Sequence, residues 1–352
     1  MRRLSYQAMA HGADTCLFFQ MRQSIAGQEK FHGAIISHSG REDTRVFRES
    51  AALGAELAKI GDAFLEGRTP AKVGILFDWN NWWALELASG PSKDMDYLKT
   101  VSLYYETLFR QNIGVDILPY DADLTGYEMI VAPLFYMMKG DVADRVQVFV
   151  EKGGILVTTV MSGLADENDR CIYGAYPGPL KEMLGIWVEE TDALRPYEKN
   201  TLRITEEGFL SRDTYDCGFL CDLIHPEGGA EVLATYGEDF YAGMPAVTRH
   251  RFGAGWAYYI GTQPEQAFLE ELIEKICAGA DLLPLYPADP GVELTHRVSP
   301  RARVVFAINH NKNDAVVDFG QEKLTDLITD RELTGKVTIG AGDVRVLTVQ
   351  GR

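Results

Sequence analysis

Long apolar runs are missing from this chain of 352 residues. Nothing in it approaches the roughly 18–20 consecutive apolar residues of a transmembrane helix, so no membrane span is expected. Residues 1–14 hold two arginines with no apolar region behind them, which argues against a secretory signal. Cations are in the minority: 34 Lys and Arg stand against 51 Asp and Glu, a net charge of −17. That balance disfavours nucleic acid and anionic membranes as partners and suits neutral ligands. Cysteine is sparse and irregularly spaced, at Cys16, Cys171, Cys217, Cys221 and Cys277. Only Cys217 and Cys221 are close, and no second pair completes a zinc site. Isolated, reduced core cysteines are the expectation, and with them a cytoplasmic setting. Phosphate-cradling motifs are absent too. No GxGxxG follows a strand and no GxxxxGK[ST] occurs, so neither a nucleotide cofactor nor a metal is expected.

What remains is a globular composition, 46% hydrophobic and 24% charged, with material for more than one core. Residues 4–11 read as the end of a helix and 13–20 as a buried strand. A long irregular loop follows. Asp43 or Thr44 then caps a helix whose Leu53, Leu57, Ile60 and Phe64 share one face, closed by Gly67 and Pro70. From 72–77 onward, strands at 114–121, 127–136 and 155–160 alternate with helices at 94–112 and 140–152, as in a doubly wound open sheet. Residues 249–262 read as a hairpin around a Gly-rich turn, and 264–279 as a closing helix. Pro284, Pro287 and Pro290 mark a linker. The short β-branched stretches 302–309, 315–320, 336–341 and 344–350 form a small all-β domain, too small to be robust alone, that leans on its neighbours.

Three places carry candidate chemistry. The first follows the strand at 13–20, where Phe19 and Arg22 precede Glu29 and His32. A carboxylate, an imidazole, a guanidinium fork and an aromatic ring can bind the hydroxyls and the apolar face of a sugar. The competing reading is a structural Arg22–Glu29 salt bridge beneath a loop, and the residues alone do not choose between them. A strand ending in polar groups is also how a β/α barrel builds its site, although too few residues precede this one to supply the other strands. The second place is Ser162, after the strand at 155–160, where a nucleophile would sit on a strand-to-helix turn. Met161-Ser162-Gly163 lacks the flanking glycine pattern of such a turn, so a scaffold without that chemistry is the better reading. The third is Trp79, Trp82 and Trp83, which pack in the core or line an interface or substrate rim.

Residues 11–49, HGADTCLFFQMRQSIAGQEKFHGAIISHSGREDTRVFRE, resemble the last barrel strand and loop of the family 42 glycoside hydrolases. These are β-galactosidases with a barrel, a trimerisation domain and a small β domain. The resemblance continues through FDWNNWWALE, HRFGAGWAYYIGT and FAINHNKND. It implies the end of a (β/α)8 barrel over 1–69, a doubly wound amidotransferase-like (flavodoxin-like) trimerisation domain over 70–282, and a β-sandwich over 283–352. It implies a galactoside as substrate, a homotrimer and no cofactor. Carried over residue by residue, Phe19, Glu29 and His32 bind galactose and Arg22 supports their loop. Met21 departs from the family's Trp. Retaining glycosidases use two carboxylates about 5–5.5 Å apart. Both of the family's lie ahead of this stretch, so no catalytic residue is expected here and the chain alone should be inactive. Its first 70 residues should be poorly packed or paired with something else. Two readings compete: a non-catalytic oligomerisation module, probed by size in solution although an inactive trimer fits both it and the partial enzyme, and a hydrolase using Ser162, told apart by a serine-reactive probe.

Overall fold

The structure is a computed structural model that describes residues 1–174 and 176–349. The chain divides into two compact units, Met1–Pro70 with Pro284–Arg352, and Ala71–Leu283. Among the described residues no helix is long and apolar enough to cross a membrane.

The first unit opens on helix α1 (Arg2–Ala10) and, after a long loop, helix α2 (Arg45–Ile60). Thr44 caps α2 by accepting the Phe47 N–H, and a 3-10 turn over Gly61–Phe64 ends it, ahead of the Gly67 and Pro70 stop expected from sequence. The strand expected over 13–20 does not form. Leu17 is 90% exposed and Phe19 71%. A strand in a parallel sheet satisfies its backbone through a neighbour, and among the described residues none pairs with this segment.

The second unit comprises β1 (Val73–Leu76), α3 (Trp79–Leu87), α4 (Tyr97–Arg110), β2 (Val115–Leu118), β3 (Met129–Ala132), β4 (Met137–Met138), α5 (Val142–Glu151) and β5 (Ile155–Thr159). It continues with β6 (Ala165–Asp166), α6 (Lys181–Leu184), β7 (Ile186–Ala193), β8 (Asn200–Ile204), β9 (Thr214–Pro226) and β10 (Glu231–Tyr236). It closes with β11 (Pro245–Phe252), β12 (Gly255–Ile260), β13 (Thr262–Pro264) and α7 (Gln266–Gly279). Strands β2, β1, β3, β5 and β12 run parallel in that spatial order. β1 and β3 are buried along their whole length, because helices cover both faces. One face carries α4 and α7 in its core, the other α5 and α6. The β11–β12 hairpin is where sequence places it. Strands β7 to β10, for which sequence offers no elements, extend the sheet antiparallel, so it is mixed and not uniformly doubly wound.

The first unit resumes with β14 (Val292–Val298), β15 (Arg303–Asn309), β16 (Ala315–Asp318), β17 (Leu324–Asp326), β18 (Arg331–Leu333), β19 (Lys336–Ile339) and β20 (Val344–Val349). Gln350, the last residue of the strand expected over 344–350, lies outside the described residues. The C-terminal part is all-β, a five-stranded sheet with a separate β16–β19 pair. Along β15, Val305 and Ala307 face the core shared with β16 and β19. Val304, Phe306 and Ile308 face Tyr6, Met9, Leu53 and Ile60 of α1 and α2. The small β domain does lean on a neighbour, and the first 70 residues are not uniformly loose. Their helices are packed, and the loop between them is exposed.

Candidate functional site

The loop between α1 and α2 has a defined internal frame. Its two arms are tied by backbone bonds from Ile35 to Gln20, Ile36 to Met21 and Gln23 to Ile36, at 3.1, 2.8 and 3.0 Å. The Gln23 side chain is the hub. Its Nε2 donates to the Lys30 and His32 carbonyls at 3.1 and 3.0 Å, and its Oε1 accepts the His38 N–H at 2.9 Å. The His38 ring lies 2.8 Å from the Ser24 carbonyl. At the apex, Gly27 (φ +71°) leads into a 3-10 turn over Gln28–Phe31, and the His32 N–H closes it on the Glu29 carbonyl. Below the loop, the guanidinium of buried Arg297 donates to the Met9, Ala13 and Gly67 carbonyls and to Asp14.

On this frame Phe19 and His32 meet edge to face, ring centroids 6.1 Å apart. Arg22 and Glu29 are exposed on the same loop. The Arg22–Glu29 salt bridge of the competing reading is not formed among the described residues. The loop is held by Gln23 and by backbone instead, which leaves both charged groups facing water. Gln23 and Arg297 carry the frame without announcing it in the sequence. A lone Gln in a polar run has no diagnostic spacing, and Arg297 acts across more than 280 residues.

The turn after β5 is of another kind. Met161 takes the left-handed conformation there (φ +69°), and its N–H donates to the Tyr176 hydroxyl. Ser162 is fully buried. Its hydroxyl lies 2.7 Å from Thr158 Oγ1, donates to the Thr159 carbonyl at 2.6 Å and accepts the Phe135 N–H at 3.2 Å. All its hydrogen-bonding capacity serves the turn. Behind it, buried Asp222 accepts hydroxyls of Thr191 and Tyr259 at 2.6 Å each and of Tyr176 at 3.2 Å. Burial pushes the Asp222 carboxyl up to about 7, against the pull of those three hydrogen bonds.

Asp78 caps α3 by accepting the Asn80 and Asn81 N–H groups and pairs with Lys139 at 2.7 Å. Along that helix Trp79 and Trp83 stay 57% and 53% exposed, their rings 6.1 Å apart, while Trp82 tucks against Phe77. Simple core packing therefore describes Trp82 and not the other two. Among the described residues no group of His, Cys, Asp and Glu could hold a metal ion.

Residues 71–283 match the family model for the β-galactosidase trimerisation domain. The chain belongs to the family 42 β-galactosidases. Residues 1–60 match the family's β-galactosidase model and 291–348 its C-terminal domain. β-Galactosidase BgaA of Planococcus sp. (strain 'SOS Orange') is 43% identical over 347 residues, 99% of this chain and 51% of that protein. BgaB of Geobacillus sp. (strain Y412MC61) is 40% identical over 99% of this chain and 51% of its own length. The crystal structure of the β-galactosidase from Bacillus circulans sp. alkalophilus superposes with a TM-score of 0.96 at 46% identity, covering 99% of this chain and 51% of that one. The chain thus spans about half the length of the relatives it matches.

Proposed function

We propose that this chain is part of a retaining β-galactosidase that releases terminal non-reducing β-D-galactose from β-galactosides. The family-model match over 71–283, flanked by the matches over 1–60 and 291–348, carries this reading. On it, residues 1–69 are the end of a (β/α)8 barrel, 70–282 an amidotransferase-like domain that assembles a homotrimer, and 283–352 a β-sandwich. Phe19 covers the apolar face of the galactose ring and His32, held at its edge, bonds to a hydroxyl. Glu29 accepts further sugar hydroxyls with its free lone pairs, and Arg22 supports the loop through its backbone bridge to Ile36. Retaining cleavage needs a nucleophile and an acid/base roughly 5–5.5 Å apart. With Glu29 in a binding role, both are assigned to the half of the relatives that this chain does not span.

The chain by itself should therefore not hydrolyse a chromogenic β-galactoside above a mock-purified control, and turnover above that control overturns the division of labour. A chimera joining it to the first half of the Planococcus enzyme should be active. In that chimera Glu29→Gln should raise KM about tenfold or more, the scale of a lost charged hydrogen bond. Unchanged kinetics would remove Glu29 from the sugar site. Light scattering should return the mass of three chains.

A further inference from the structure

Cysteine was expected to be isolated in this protein, and two of the five free cysteines are not. Cys217 and Cys221 stand four residues apart on β9, where a regular strand would separate them by about 13 Å. β9 is not regular there. Against β13, Cys221 pairs with Thr262 and Cys217 with Pro264, so four steps of one strand lie beside two steps of the other. Phe219, midway, takes up the excess at φ +70°, a conformation rare for a bulky side chain. The two Cα atoms are drawn to about two strand steps, ~7 Å, at the upper edge of what a disulfide spans. The two thiols perturb each other's ionisation, and Cys221 Sγ lies 3.6 Å from the Thr262 hydroxyl. Cys217 also lines a cleft of about 510 Å3, bordered by β9, β13 and the first turn of α4, so a small molecule has a way in.

We propose that Cys217 and Cys221 form a reversible dithiol–disulfide site, oxidised by hydrogen peroxide entering through this cleft. Two S–H bonds and the peroxide O–O bond break, and one S–S bond forms. The sulfurs lose two electrons to the peroxide oxygens, and the two thiol protons leave in the two water molecules produced. Peroxide entering the cleft meets Cys217, the thiol that lines it, and Cys221 completes the disulfide.

Tryptic cleavage isolates both cysteines, and no others, in the peptide 213–249. The unaltered chain is treated with equimolar hydrogen peroxide, alkylated with iodoacetamide, digested and weighed. The expected result is a 213–249 peptide lighter than the dithiol form by two hydrogen atoms and free of alkylation, restored by dithiothreitol. Cys277, buried in α7, should be alkylated once the chain is unfolded. Cys217→Ser and Cys221→Ser should each abolish the two-hydrogen loss. The proposal is overturned if 213–249 remains doubly alkylated while exposed Cys171 is already oxidised. It is also overturned if Cys217 and Cys221 go to sulfinic acids or cross-link to other cysteines.

Discussion

Loop 19–38 and turn 158–164 both gather polar side chains where the chain reverses, and they use them in opposite ways. In the loop, Gln23 takes the structural hydrogen bonds, and Arg22, Glu29 and His32 keep exposed polar groups. In the turn, Thr158, Thr159 and Ser162 are buried, and each hydroxyl is bonded to backbone or to a neighbour. Residue type does not distinguish a ligand site from a scaffold. Unused hydrogen-bonding capacity does, because a group already saturated in the interior cannot turn to a ligand without leaving another polar atom unpaired.

The sharpest way to break this contrast is at Gly163, which sits at φ +71° with a Cβ position 2.0 Å from the Pro177 carbonyl oxygen. Gly163→Ala should cost roughly 3 kcal/mol or more, combining left-handed strain with a backbone clash. An unchanged denaturation midpoint would show the turn to be loose. Ser162→Ala should cost about 2 kcal/mol, as expected for buried groups left unpaired, and should leave labelling by a serine-reactive probe unaltered. Loss of labelling on that substitution would revive a nucleophilic Ser162. At the other end of the scale, Glu29→Gln and His32→Ala should move stability by less than about 0.5 kcal/mol, because exposed groups outside the frame carry little of it. A larger loss would make them structural.

Buried carboxylates extend the contrast to pH. Asp222 faces neutral hydroxyls, and burial dominates, raising it to about 7. Its contribution to stability is full below the unfolded value near 3.9 and is lost as pH rises through about 7. At Glu293 burial also pushes upward, but hydrogen bonds from His11 and His310, at 2.6 and 2.7 Å, leave the carboxyl below its ordinary range. Its contribution is present above the unfolded value near 4.3 and is lost as pH falls through the lower folded one. Protection factors of β9 amides, with intrinsic exchange divided out, should therefore fall from about pH 4 to 7, and Asp222→Asn should flatten that trend. Protection factors in β14 should fall only towards acid, and matching profiles for the two strands would refute the distinction.

Local information was legible from sequence. The Thr44 cap, the apolar runs of β1, β3 and β5, and the β11–β12 hairpin each depend on neighbours within a few residues. The polar loop was legible as a cluster, and its motif pointed to the family. β7 to β10 were not legible, because charged and polar residues such as Glu189, Arg203, Asp222 and Glu231 interrupt their apolar stretches and their pairings close over long separations. The expected strand at 13–20 failed for the same reason: its apolar pattern is real, but a strand exists only where another strand accepts its hydrogen bonds.

Sequence by itself determined the family, the two regions of alternating strand and helix or of strand alone, and which residue types could touch a sugar. Periodicity, caps and motifs are local and survive without knowledge of the fold. Only the tertiary structure decided that α1 and α2 cover the β15 sheet, that Gln23 frees Arg22 and Glu29, that Ser162 is saturated, and that a bulge at Phe219 brings two thiols together. Each of these depends on which distant group occupies the remaining hydrogen-bonding site or apolar face, and the chain specifies that only by folding.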